Sequence, residues 1–178
     1  PERTLREEHV HYACDGEGPL TLLGLLRGDS LDKIPGLVWG CGKESGVIRK
    51  NPPAPLIPID ELHGDVWDQL PMQNYRSHNW QVFDNLEMRA PYASIYTTLG
   101  CPFLCSFCMI NVFQHKNLYR RRTPRQVVEQ ITMLHDKYGV RTFKFSDEMF
   151  ILAPNHYIAV CDGIIERGIG DHLNIWAY

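Results

Sequence analysis

Apolar and polar positions change rhythm near residue 90 of this chain. Before it, apolar residues come in short, separate runs. Val10-His11-Tyr12-Ala13-Cys14 predicts a short strand closed by Asp15-Gly16-Glu17-Gly18. Pro19 then opens a helix carrying Leu20, Leu22, Leu23, Leu25 and Leu26, stopped by Gly28. Leu37-Val38-Trp39 and Gly46-Val47-Ile48 flank a turn from Gly40 to Ser45 and predict a hairpin. One strand–helix unit and a hairpin are too little to bury a core alone. Residues 51–90 are punctuated by Pro52, Pro53, Pro55, Pro58 and Pro71, which predicts an extended segment without a continuous helix. Trp67 and Leu70 are expected to pin it down. His78, Trp80 and Phe83 are expected to be packing residues rather than a substrate entrance.

From residue 91 strands and helices alternate. Ala93 to Thr98, rich in β-branched and aromatic residues, predicts a buried strand. Thr123-Pro124-Arg125-Gln126 is a capping-box start with proline in the first turn. Val127, Ile131, Leu134 and Tyr138 then recur at helical spacing up to Gly139. Val140 to Ser146 predicts a second strand and Asn155 to Arg167 a second helix, with Ile158, Cys161, Ile164 and Ile165 inward. Leu173 to Tyr178 predicts a third strand. A β-α-β-α-β order implies right-handed crossovers and a parallel sheet.

Between the first strand and the first of these helices lies Gly100-Cys101-Pro102-Phe103-Leu104-Cys105-Ser106-Phe107-Cys108. Three of the six cysteines fall here, spaced Cys-x3-Cys-x2-Cys. Thiolates this close repel unless a cation holds them, so the trio is a candidate metal site. Three sulfurs suit an iron–sulfur cubane with one iron left for another ligand. Zinc held by the trio and His115 is a second account, but zinc folds usually bring two short ligand pairs across a longer loop. Disulfides would leave one thiol over, and nothing points to secretion. Cys14, Cys41 and Cys161 lack metal spacing and are expected to be buried or incidental. The histidines His9, His11, His115, His135, His156 and His172 are expected in core or surface roles. Tyr119-Arg120-Arg121-Arg122 is the strongest basic run and is expected to be a solvated loop ahead of the helix.

Composition bounds the rest. At 178 residues the chain makes one ordinary domain or pieces of two. Hydrophobic content of 44% and charged content of 22% are those of a globular protein. A formal net charge of −3 gives no reason to expect nucleic acid or anionic membrane as main partner. No apolar run approaches a membrane span, and no signal-peptide pattern opens the chain. Clustered free cysteines imply a reducing compartment, with cytoplasm expected. Pro1 opens on element-like sequence and Tyr178 ends within an apolar stretch, so the chain is expected to be an internal piece of a longer protein.

The trio, with Phe107 before its last cysteine, resembles the signature of the radical S-adenosylmethionine (radical SAM) superfamily. The run Thr97 to Cys108 resembles in particular the branch that carries a cobalamin-binding domain ahead of the radical domain. The resemblance implies an α/β fold: the first half of a partial (β/α) radical SAM barrel, preceded by the tail of a Rossmann-like cobalamin-binding domain. It implies residues 1–50 as the end of that domain, 51–90 as a proline-rich linker and 91–178 as the opening half of the barrel. Cys101, Cys105 and Cys108 would bind a 4Fe-4S cluster, and S-adenosylmethionine would chelate its fourth iron. Phe107 and the acidic strand end Ser146-Asp147-Glu148 would contact that nucleotide, in place of the family's common Gly-Gly-Glu. An N-terminal charge for the next helix is the other account of these acids.

Gly16-Glu17-Gly18 and Ile34-Pro35-Gly36-Leu37 resemble, in order, segments of the cobalamin domain, so Gly16, Glu17 and Gly18 would approach cobalamin; an ordinary turn is the other account. The Asp-x-His-x-x-Gly pattern that supplies an axial histidine in some cobalamin proteins is absent, and Asp60-Glu61-Leu62-His63-Gly64 has the wrong spacing. The activity implied is reductive cleavage of S-adenosylmethionine to start radical chemistry, with C- or P-methylation expected. Cyclisation, ring contraction or methylthiolation are alternatives, and a non-catalytic zinc or iron–sulfur module stands outside them. Partners implied are a small-molecule substrate and an electron donor such as flavodoxin or ferredoxin. No side chain is singled out as an acid, base or nucleophile.

Overall fold

The computed structural model describes residues 1–40, 46–62, 66–110 and 117–178. The expected turn through residues 41–45 with Cys41, and His63 and His115, fall outside them. The chain divides into two units, Pro1–Ile57 with Phe103–Asn117, and Pro58–Pro102 with Leu118–Tyr178.

In the first unit, α1 (Glu2–Glu7) and β1 (Tyr12–Cys14) precede α2 (Pro19–Arg27), β2 (Leu37–Gly40) and β3 (Ile48–Lys50). The strands form an antiparallel sheet in the order β1-β2-β3, with Ala13 opposite Val38 and Val38 opposite Lys50. The expected helix and hairpin are both present. Ile34, Leu37 and Trp39 make a small core against Leu25 and Leu31. Leu22 and Leu26 remain exposed. Thr21 Oγ1 donates to the Pro35 carbonyl at 2.7 Å, tying α2 to the approach to β2.

The second unit contains β4 (Tyr92–Ile95), β5 (Thr98–Leu99), β6 (Arg120–Arg121), α3 (Pro124–Tyr138), β7 (Thr142–Phe145), α4 (Pro154–Glu166) and β8 (Asn174–Trp176). β4, β7 and β8 form the expected parallel sheet, in that order. Residues 58–90 run through short 3-10 turns with no continuous helix among the described residues.

The capping box at the start of α3 is formed: Gln126 N donates to Thr123 Oγ1 at 3.3 Å, and Thr123 N to Gln126 Oε1 at 3.1 Å. Ala93, Ile95, Phe143 and Phe145 point from the sheet into a core with Val127, Ile131, Leu134, Val160 and Ile164. Each fully buried side chain of this size stabilises by roughly 1.5–3 kcal/mol.

The buried face of α4 differs from the expected one. Of the four α4 residues expected inward, only Ile164 is buried; Ile158, Cys161 and Ile165 are exposed, and the buried stripe is His156, Val160 and Ile164. Gly163 sets this rotation by bringing α4 so close to α3 that an added Cβ would lie 2.7 Å from Val128 Cγ2. Apolar residues occur on both sides of α4, so periodicity alone offered two stripes. No helix among the described residues is long and apolar enough to cross a membrane.

Candidate functional site

The cysteine loop leaves β5 at Leu99 and returns at Arg120, and β5 and β6 pair antiparallel with Leu99 opposite Arg120 and Thr98 opposite Arg121. Arg122 N donates to the Thr97 carbonyl at 2.9 Å, which extends the ladder. The basic run is therefore a strand and a clasp, not a solvated loop. Arg122 also reaches Gln130 Oε1 at 2.7 Å and the Leu62 carbonyl at 2.8 Å, beside a cavity of about 220 Å³ bordered by Ile59, Trp67 and Leu99.

Two acids at the end of β7 brace this neck. Asp147, only 1% exposed, accepts the Thr97 backbone N–H at 2.7 Å on one oxygen and the Thr97 hydroxyl on the other. Since that hydroxyl gives its proton to Asp147, it can only accept from His156 Nε2, 3.2 Å away. A buried chain His156 → Thr97 → Asp147 thus joins α4, the β4–β5 junction and the end of β7. Burial lowers the pKa of His156, which favours its neutral form. Glu148 Oε2 accepts from Gly100 N at 2.9 Å, directly before Cys101. Tyr119, at the loop's return, donates its hydroxyl to the Met149 carbonyl at 2.9 Å, and burial raises its pKa.

The expected nucleotide contacts thus differ in availability. Asp147 is closed in against Thr97. Glu148 is half-buried with one oxygen on Gly100, and Ser146 lies beside it with its hydroxyl 2.6 Å from that of Ser94. His156 was missed by sequence reasoning; its place in an i, i+4, i+8 stripe with Val160 and Ile164 was the signal available.

Cys101 and Cys108 are half-buried, Cys105 is exposed, and all three are free thiols. Cys105 and Cys108 lie in the segment grouped with the first unit, where Cys108 N donates to the Cys105 carbonyl at 3.1 Å. Phe107 is 92% exposed. Among the described residues no three His, Cys, Asp or Glu side chains are gathered as metal ligands. The donor set still suits a thiolate-bound cluster, because the thiols are unbridged and soft sulfur ligands select iron–sulfur centres or zinc. In the first unit, Gly16 and Gly18 have φ of +116° and +89°, and a Cβ on either would meet nothing within 4 Å. Backbone conformation, not crowding, calls for glycine there, and it leaves the main chain open to a ligand.

No family model matches the chain. An uncharacterized methyltransferase of Pyrococcus horikoshii is 32% identical over 175 residues, which is 95% of this chain and 35% of the relative. An anaerobic magnesium-protoporphyrin IX monomethyl ester cyclase of Cereibacter sphaeroides is 30% identical over 166 residues, 89% of this chain and 25% of the relative. The radical S-adenosylmethionine methyltransferase TsrM from Kitasatospora setae, solved with cobalamin and a 4Fe-4S cluster bound, superposes with a TM-score of 0.60 at 22% identity, over 93% of this chain and 33% of that one. The chain is similar to these enzymes and shares the fold of the solved one. It spans about a third of the length of the first of these relatives. Its parallel β4-β7-β8 sheet, with the cysteine loop after β4 and β5, is the α/β arrangement expected from the sequence.

Proposed function

We propose that the protein containing this chain is a cobalamin-dependent radical SAM enzyme that transfers a methyl group to carbon or phosphorus of a small-molecule substrate. The observation that carries this reading is the run of three free thiols leaving a neck braced by Asp147 and Glu148. Cys101, Cys105 and Cys108 would hold a 4Fe-4S cluster, and Gly16, Glu17 and Gly18 would border cobalamin. When bound, these groups supply one-electron cleavage of S-adenosylmethionine and a methyl carrier.

The chain's own residues position and shield. Ser146 and the second oxygen of Glu148 would accept hydrogen bonds from the nucleotide's ammonium group. Asp147 contributes from behind, by fixing Thr97. The exposed ring of Phe107 would lie along the nucleotide and exclude water. In this reading residues 1–50 complete the cobalamin domain, 51–90 link it, and 91–178 open the barrel. Electrons come from a flavodoxin- or ferredoxin-like donor in the cytoplasm.

The match to a cyclase favours a second reading, ring closure started by the same radical chemistry. Anaerobic reconstitution of the full-length protein with iron, sulfide and cobalamin, then reduction with S-adenosylmethionine, tests the proposal. Retained cobalamin and release of 5′-deoxyadenosine are expected. Absence of 5′-deoxyadenosine would overturn the radical reading, and failure to retain cobalamin would overturn the methyl-transfer reading.

A further inference from the structure

The parallel sheet of the second unit has two unlike faces. One carries Ala93, Ile95, Phe143 and Phe145 into the core with α3 and α4. The other presents, at matched register, Ser94 on β4, Lys144 on β7 and Trp176 on β8. Parallel sheets ordinarily bury both faces under apolar side chains. Here the second face is polar and cationic on β4 and β7 and aromatic on β8.

The aromatic group is completed from the segment before β4. Gln81 accepts a hydrogen bond from the Asn174 side chain through its carbonyl, and the Met88 carbonyl accepts from Thr142 Oγ1 at 2.6 Å. Both contacts lie at strand starts, so this segment crosses the amino-terminal end of the sheet. From it Trp80 packs edge-on against Trp176 at 4.6 Å between centroids, and Phe83 lies 6.4 Å from Trp176. Trp80 is 51% and Phe83 74% exposed. Phe83 and Asp84 adopt φ of +45° and +70°, an arrangement that bulky side chains avoid unless their surroundings hold them there.

Lys144 stands beside this aromatic group, level with Trp176 in the register of β7 and β8. Its Nζ lies 5.5 Å from the centre of the Tyr178 ring. Among the described residues no carboxylate lies within ion-pair distance of it. A half-buried ammonium lacking a counter-charge is a site that an anion completes.

We propose that this face is a substrate subsite, in which Lys144 receives a carboxylate or phosphonate group while Trp176, Trp80 and Phe83 support a flat apolar body. The Ser94 hydroxyl, 2.6 Å from that of Ser146, supplies a hydrogen bond beside the ammonium. The inference deepens the radical SAM reading by naming a substrate class, an anionic molecule with a planar apolar part. Ligands of parallel α/β folds enter from the carboxyl ends of the strands, which brings such a molecule to Lys144 past the ends of β4, β7 and β8.

The test uses the full-length, anaerobically reconstituted protein and two probes, 2-naphthoate and its neutral analogue 2-naphthamide, with binding followed by tryptophan fluorescence. The carboxylate should bind about tenfold more tightly than the amide. Lys144→Met should erase that preference and Lys144→Arg should keep most of it. Equal affinity of the two probes for the wild type, or an undiminished preference in Lys144→Met, would overturn the subsite. A protein that prefers the carboxylate through Lys144 yet gives no spectroscopic response to S-adenosylmethionine would retain the subsite and refute the radical SAM reading instead.

Discussion

Asp147 holds Thr97 by two hydrogen bonds, one from its backbone N–H at 2.7 Å and one from its hydroxyl, with both residues essentially inaccessible to water. Thr97 lies at the β4–β5 junction and Asp147 just past β7, so the pair joins the entry of the cysteine loop to the neighbouring strand. Asp147→Asn would set an amide N–H against one of the Thr97 donors, and Thr97→Val would keep the backbone bond but leave the second Asp147 oxygen and His156 Nε2 without the hydroxyl. Each substitution should destabilise the full-length protein by about 2–3 kcal/mol, read as a lowered thermal midpoint. The double variant should cost clearly less than the sum, since both changes break one network.

His156 makes stability depend on pH. Its folded pKa lies below the ordinary 6.5, with burial the largest cause; Asp147 opposes that effect and Arg121 adds to it. Between the two pKa values the unfolded chain binds more protons than the folded one, so stability rises with pH across that window. The contribution is complete above about pH 6.5 and is lost as pH falls toward the folded value. His156→Gln retains a donor for Thr97 and does not titrate. Melting from about pH 7.5 to about pH 5.5 should therefore show a smaller acid-induced loss in this variant than in the wild type.

Gly163 and Val128 fix the approach of α4 to α3. Gly163→Ala would gain about 1 kcal/mol of helix propensity but force a contact of 2.7 Å on a stiff, β-branched neighbour. A net loss of about 1–2 kcal/mol is expected in thermal unfolding. Adding Val128→Ala to Gly163→Ala should recover part of that loss by vacating the space.

Much of the second unit was legible in the sequence. The Thr123–Gln126 capping box, Gly139 and the spacing of Val127, Ile131 and Leu134 carried α3 directly into the structure, because cap and stripe agree. The cysteine trio was legible as a spacing. Roles that depend on the neighbour across the sheet were not. Nothing local tells Asp147 from Glu148, yet one is sealed against Thr97 and the other, half-buried, holds Gly100 ahead of the cysteine loop. The arginines at 120–122 likewise look like a solvated run until β6 pairs with β5. On α4, a second apolar stripe hid the one that the Gly163 contact selects.

Cys105→Ala removes the central thiol of the trio. Iron and acid-labile sulfide in the reconstituted full-length protein should fall to background, because two thiolates and one nucleotide do not hold a cubane. Cys161→Ala, on the exposed face of α4, should leave both contents unchanged. Full iron and sulfide in Cys105→Ala would refute its assignment as a ligand.

The most direct measurement is the electron paramagnetic resonance spectrum of the reduced, oxygen-free full-length protein before and after S-adenosylmethionine is added. A signal from a reduced four-iron cluster that shifts on addition of the nucleotide is expected, since one iron should be open to it. A spectrum that ignores the nucleotide, or a protein that carries zinc in place of iron and gives no signal at all, would contradict the account.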